Sequence, residues 1–136
     1  MTRLALIVLV VACGSKTKPE SKPEHADEHH EMENMPPEMA KFHDVLAPHW
    51  HAPKGPERMT STCAAIPEFQ SNADALAKAK PAGDAASWAA GTKELADAVA
   101  GLKSACDASD ATAFETAFAR VHKGFHGLME GGEHHM

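Results

Sequence analysis

The sequence is poor in aromatic residues and in positive charge. It has no Tyr, five Phe and two Trp, and aromatic side chains make up 5% of its 136 residues. β-Sandwiches draw on Tyr and on β-branched residues, so this shortage disfavours a β fold. Lys and Arg number 13 against 19 Asp and Glu, for a formal net charge of −6. An acidic chain without a basic stripe binds polyanions poorly, so we predict no nucleic-acid partner.

Long apolar runs and catalytic motifs are also missing. The apolar run over residues 4–12 has nine residues, whereas a helix that crosses a bilayer needs roughly 20. No CxxC motif accompanies the cysteines, which disfavours a cysteine metal site. No Ser, Cys or paired-carboxylate constellation has the arrangement of a catalytic site, so we predict that the protein is not an enzyme.

The first twelve residues have the pattern of a secretory signal. Arg3 supplies a positive start, an apolar run follows, and the run ends in the small residue Ala12. This order is typical of a signal peptide that is removed on export. We therefore expect residues 1–12 to be absent from the mature protein.

Val10-Val11-Ala12-Cys13 resembles the lipobox of bacterial lipoproteins. The resemblance implies that Cys13 becomes the lipidated first residue, so that the protein is anchored to the membrane of the cell envelope. Gly14 stands where an Asp would indicate retention in the inner membrane, so the resemblance favours the periplasmic face of the outer membrane. The alternative is an ordinary cleaved signal with an incidental cysteine.

Residues 13–35 are predicted to form a disordered tether. The stretch SKTKPESKPEHADEHHEMEN has no apolar periodicity and is rich in Lys, Glu and Pro, so it cannot bury enough apolar surface to fold. The tether and the flexible tail at residues 132–136 carry histidines that are typical of loose metal-binding tracts, namely His25, His29, His30, His134 and His135. The alternative is a solvated tether and a frayed end without a metal role.

Four stretches between residues 36 and 131 carry apolar residues at spacings of three and four, the pattern of amphipathic helices. The four seams are Met39, Phe42, Leu46 and His49; Met59, Cys63, Ile66, Phe69 or Gln70, Ala73 and Leu76; Trp88, Thr92, Leu95, Val99, Leu102 and Cys106; and Phe114, Phe118, Val121, Phe125 and Leu128. Mostly short connections and abundant Ala predict an all-α domain, specifically an up-down-up-down four-helix bundle.

Prolines, glycines and one aspartate predict where these helices bend or end. We expect Pro48 and Pro53 to bend or end the first helix, and Pro67 to kink the second. Asp84 is suited to cap the third helix. The pair Gly131-Gly132 is expected to stop the fourth.

Cys63 and Cys106 remain once Cys13 is lipidated, and an oxidising compartment would let them pair. Both fall on helical seams, and folding the second and third helices back on each other brings the two within about one helical turn. We therefore predict a Cys63–Cys106 disulfide, which would contribute about 4 kcal/mol in the chain-entropy model. Two reduced core cysteines are the alternative.

Ten histidines in this chain require an explanation. His122 and His126 have the i, i+4 spacing that can place two ligands on one side of a helix. In an up-down bundle His43 lies level with them, and His49 and His51 follow near the end of the first helix. The sequence predicts a transition-metal site in which His43, His122 and His126 converge between the first and last helices, with Asp44 or Glu130 within reach. His49 and His51 are further candidate ligands of this site. Surface histidines without a metal role are the alternative.

The layout of the predicted domain is similar to that of the cytochrome b562 and cytochrome c′ bundles. Cytochrome c′ attaches haem through CxxCH on its last helix, but this chain has RVHKGFHGL there, which excludes covalent haem. The b562 resemblance implies Met39 and His122 or His126 as haem ligands. Met39 is equally an ordinary core residue at that spacing.

Two functions of different class follow from these patterns. The first is an anchored lipoprotein that binds Cu, Zn or Ni through histidines, for buffering or sensing, and loses the ion on acidification toward about pH 5. The second is a lipoprotein without a metal role, which docks an unknown protein partner at the envelope. A bundle that binds b-type haem is a minor alternative.

Overall fold

The computed structural model describes residues 35–133, with side chains up to residue 131. Within this part the chain is helical and has no strand; the helices are α1 (Pro37–His51), α2 (Pro56–Ala64), α3 (Ile66–Lys78), α4 (Ala85–Asp107) and α5 (Ala111–Glu133). The predicted all-α class is confirmed. The expected signal peptide, the lipidated Cys13 and the histidines of the tether and tail (His25, His29, His30, His134 and His135) lie outside the described residues.

The core consists largely of the apolar seams that the sequence pattern indicates. In α2 the prediction is wrong by one position: Arg58 and Thr62 are buried, whereas Met59 and Cys63 are only partly buried. Its largest fully buried side chains are five phenylalanines from α1, α3 and α5, namely Phe42, Phe69, Phe114, Phe118 and Phe125. The pattern of the second seam left open whether Phe69 or Gln70 is the core residue. Phe69 is buried and Gln70 is exposed. The ring of Phe42 lies 5.7 Å from that of Phe69 and 5.3 Å from that of Phe125, so one residue of α1 joins α3 to α5.

Two internal prolines have different effects. Pro48 lies inside α1, which ends only at His51, so it does not terminate the helix. Near Pro67 the predicted kink is a break: α2 ends at Ala64, and the N–H of Ala65 donates to the carbonyl of Thr62 before α3 begins. A proline within a helix removes a backbone hydrogen bond and crowds the preceding turn, which explains why the helix divides here.

The long helices α4 and α5 pack against each other along their length. The Asp84 carboxylate accepts a hydrogen bond from the N–H of Ser87 at 2.8 Å, as the capping prediction requires. A Cβ on Gly91 would lie 2.6 Å from a methyl group of Leu128, so this glycine permits the close approach of the two helices. The predicted stop at Gly131-Gly132 is wrong, since α5 continues to Glu133; glycine weakens a helix without ending it.

A disulfide joins Cys63 of α2 to Cys106 in the last turn of α4, as predicted. The two Cα atoms are 5.6 Å apart, within the usual range for such bridges. The bridge links the short helix α2, which has nine residues, to α4 and so to the packed pair of α4 and α5.

Candidate functional site

A cleft of about 100 Å³ opens between α1 and α5. Near the end of α1, Trp50 contacts Phe118, whereas the earlier residue His43 contacts the later Phe125. The two helices therefore run antiparallel on either side of the cleft. The residues that line it are Met35, His43, Leu46, Ala47, Trp50, His51, His122, Phe125, His126 and Met129.

The central polar feature of the cleft is the pair His122 and His126. Their Nε2 atoms are 3.0 Å apart, and their ring centroids are 4.3 Å apart. In the absence of an ion this is a hydrogen bond in which one imidazole N–H donates to the other ring. When two nitrogens bind one metal ion with bonds near 2.05 Å, their separation depends on the nitrogen–metal–nitrogen angle. It is about 2.9 Å for a right angle and about 3.3 Å for a tetrahedral angle. The observed separation of 3.0 Å lies within that range, and a shared ion would replace the hydrogen bond between the two rings.

Trp50 fixes the orientation of the inner histidine. Its ring stacks on that of His122 with centroids 3.9 Å apart and planes 9° from parallel. The guanidinium carbon of Arg58 lies 5.0 Å from the Trp50 ring centroid and 4.9 Å from that of Phe118. Metal-ligating histidines are commonly oriented by a hydrogen bond from the second ring nitrogen; for His122 the contact that restrains the ring is stacking on Trp50.

His122 has an environment that favours its neutral form. Burial is the largest effect, followed by the positive charges of His126, His51 and Arg58, and together they lower the pKa of His122 to about 4. A neutral imidazole keeps a lone pair for a metal ion, and protons compete with the ion less when the pKa is low. At neutral pH the ring is therefore ready to act as a ligand.

Arg58 is a buried charge next to the cleft. Its side chain is 2% exposed, and one nitrogen lies 3.8 Å from a carboxylate oxygen of Glu115, while Nε and Nη2 are buried without a hydrogen-bond partner. The two aromatic rings provide cation–π contacts that offset part of the desolvation cost. Its positive charge remains unscreened by water and acts on neighbouring groups.

The structure separates the five histidines that the sequence grouped together. His43 and His51 line the cleft with His122 and His126. His49 lies elsewhere: its Nδ1 is 3.4 Å from the hydroxyl of Ser61, and its ring lies 6.1 Å from that of Phe69. Burial lowers the pKa of His49, an effect that Glu68 partly opposes.

The expected convergence of three histidines is not formed. Within residues 35–133 no three side chains among His, Cys, Asp and Glu are grouped so that they could hold a metal ion. His43 packs against the ring of Phe125 at 6.0 Å, and its buried Nδ1 has no hydrogen-bond partner. The carboxylates of Asp44 and Glu130 are exposed and do not line the cleft. Of the five histidines, His122 and His126 are the pair that the structure brings into direct contact.

The arrangement does not fit a haem. Met39, which the b562 resemblance implies as a ligand, is 3% exposed in the core and is not part of the cleft. The cleft volume of about 100 Å³ is below the roughly 300–1,000 Å³ of pockets for organic ligands. The space suits an ion rather than a porphyrin.

Sequence reasoning missed four residues around the site: Met35, Trp50, Arg58 and Met129. Trp50 and Arg58 gave no periodic signal, because each contributes through contacts between helices. Met129 did give a periodic signal: it follows His122 by seven residues and His126 by three, and these spacings share a helix face.

Comparison with protein-family models, with curated proteins and with solved structures gives no match for this chain. Among the helices of residues 35–133, none combines the length and apolar character that a membrane crossing requires.

Proposed function

We propose that the protein is an exported, lipid-anchored protein that binds a transition-metal ion, Cu, Zn or Ni, in the cleft between α1 and α5, for buffering or sensing. The observation that carries this proposal is the 3.0 Å separation between the Nε2 atoms of His122 and His126. Imidazole nitrogens are donors that these metals prefer, and this pair lies at chelating distance. His51 and His43, on the walls of the same cleft, are the nearest further imidazoles.

Anchoring through Cys13 belongs to the same proposal. It rests on the signal-like start and on the lipobox resemblance, and the Cys63–Cys106 disulfide is consistent with an oxidising envelope compartment. The favoured location is the periplasmic face of the outer membrane. Incorporation of labelled palmitate by the expressed protein, abolished by Cys13→Ala, tests the anchor; a wild-type protein without label would contradict it.

The proposed architecture is an up-down-up-down bundle in which α2 and α3 together form one of the four arms. The antiparallel contacts between α1 and α5 support this arrangement, as does the pairing of α4 with α5. Because the first and last arms are neighbours in such a bundle, the cleft is formed between them.

Metal binding is tested by calorimetric titration of Cu(II), Zn(II) and Ni(II) into the full chain, with Ala at His25, His29, His30, His134 and His135 to silence the tether and tail. We expect one ion per chain. His122→Ala should weaken binding on the order of tenfold or more, because chelation by two rings is lost. His49→Ala is the matched control and should leave the affinity unchanged, since His49 faces Ser61.

The alternative is a protein-docking lipoprotein without a metal role. It is favoured by the apolar lining that Leu46, Trp50 and Phe125 give the cleft and by the lack of a group of three or more His, Cys, Asp or Glu ligands in the described part of the chain. It predicts no calorimetric signal for any of the three ions. That result would contradict the metal proposal and leave a partner to be sought.

A further inference from the structure

Two methionines line the cleft beside the histidine pair. Met129 follows His122 by seven residues and His126 by three, so at 100° per residue the three side chains leave α5 within an arc of about 60°. Met35 lies just before α1 and lines the opposite wall. Both methionines are partly buried at the margin of the core. The cleft therefore offers thioether sulfur as well as imidazole nitrogen.

The charge of the cleft discriminates between ions. Among the described residues that line it, none carries a carboxylate, so none of them brings a negative charge to offset that of a bound cation. Arg58 adds a nearby positive charge, which acts on His122. The cost of moving an ion from water into such a place grows with the square of its charge, so a monovalent ion meets about a quarter of the penalty of a divalent one. Among ions that the histidine pair can bind, this effect favours a monovalent ion over Zn(II), Ni(II) and Cu(II).

The chemical softness of the available ligands also favours a monovalent ion, Cu(I). Thioether and imidazole together suit copper, and thioether ligands in particular select Cu(I) over the harder divalent ions. We infer that the cleft is a Cu(I) site in which His122 and His126 provide nitrogen ligands and Met129 and Met35 provide sulfur ligands. This inference rests on the proposed function, because it narrows the metal bound by the same histidine pair.

Methionine at a helix margin is more often a packing residue than a ligand. A test must therefore separate sulfur ligation from packing. Leucine fills nearly the same volume as methionine and costs little in a core, but it has no donor atom. Met35→Leu/Met129→Leu thus removes the sulfurs while preserving the apolar contacts, and Met59→Leu on α2 repeats the change outside the cleft.

The affinity for Cu(I) is measured without oxygen or thiols, by competition with a chromophoric Cu(I) chelator, and the affinity for Zn(II) by calorimetry. The protein is the full chain with the tether and tail silenced, by Ala at His25, His29, His30, His134 and His135 and by Leu at Met32 and Met136. We expect the double methionine variant to lose on the order of tenfold or more in Cu(I) affinity. Zn(II) affinity should stay unchanged, and Met59→Leu should change neither.

Copper-edge X-ray absorption gives a second readout. The Cu(I)-loaded chain should show sulfur in the first coordination shell, and Met35→Leu/Met129→Leu should lose it. Unchanged Cu(I) affinity in that variant, or an equal loss for Zn(II), would overturn the inference while leaving the histidine site intact. If His122→Ala alters the affinity for neither ion, the proposed function fails instead.

Discussion

His122 is the residue whose chemistry depends most on its surroundings. Trp50 covers one side of the ring, His126 meets its edge, and the charge of Arg58 lies close by. Burial is the main cause that favours the uncharged imidazole, and the positive charges of His126, His51 and Arg58 add to it. These surroundings prepare the ring for a metal ion and make it a source of pH-dependent stability.

We predict that the metal-free protein loses stability between pH 6.5 and about pH 4. The unfolded chain takes up a proton at His122 near the ordinary pKa of 6.5, whereas the folded chain does so only near 4. The unfolded state therefore binds more protons in this window, and stability falls as the pH falls. Because the ring is partly exposed, we expect a loss of about 1–2 kcal/mol.

Urea unfolding at pH 7.5 and pH 4.5 measures this loss. His122→Gln cannot take up the proton, so its own loss over the same range should be smaller by that amount. Carboxylates titrate in both proteins and cancel in the comparison. Equal losses in wild type and variant would contradict the depressed pKa of His122.

Which residues meet in the cleft could be predicted from the sequence only in part. The i, i+4 spacing of His122 and His126 was sufficient to bring them together on α5. His49 was grouped with them because it lies on the seam of α1, yet Trp50, one residue later, is the side chain that reaches His122. Neighbours on a helix point about 100° apart, and the side of α1 that faces α5 is set by packing of the whole molecule.

At the scale of the elements, α4 ends in an unusual way. Ser109 has φ 51°, in the left-handed region. Its N–H donates to the carbonyl of Cys106, and the N–H of Asp110 donates to that of Ala105. These are the two hydrogen bonds of a Schellman motif, where glycine is the usual residue.

Ser109→Gly is therefore expected to stabilise the protein by about 0.5–1 kcal/mol, because relief of left-handed strain exceeds the added entropy of the unfolded chain. The midpoint of urea unfolding measures the change. Ser104→Gly, inside the same helix, is the matched control and should destabilise by about 0.5 kcal/mol. A loss of stability in both variants would show that Ser109 carries no strain.

The seams of the helices were predictable, but their ends were less so. Phe114, Phe118, Val121 and Phe125 are buried as their spacing indicates, since an apolar stripe must find a core whatever its neighbours are. The end of α5 beyond Gly131-Gly132 was missed, because a glycine pair only lowers helix stability. The break at Ala65 was foreseen only as a kink, since a proline in a helical pattern can bend the helix or divide it.

For the whole molecule, the disulfide contributes a large share of stability. It closes a loop with a sequence separation of 43 residues, which in the chain-entropy model corresponds to about 4 kcal/mol. We expect Cys63→Ala/Cys106→Ala to lose about 3–4 kcal/mol, measured by denaturant unfolding under oxidising conditions. Dithiothreitol should lower wild-type stability by a similar amount and leave the double variant unchanged. A wild-type melt indifferent to dithiothreitol would contradict the bridge.

The position of the cleft between α1 and α5 sets an order of events during folding. Its two walls come from the first and the last helix of the described part of the chain. A chain in which only α1, α2 and α3 have packed together already pairs Trp50 with Arg58, but it has neither His122 nor His126 in place. Under the proposed function an ion therefore cannot template the first steps of folding, and metal would be acquired only once α5 has packed against α1.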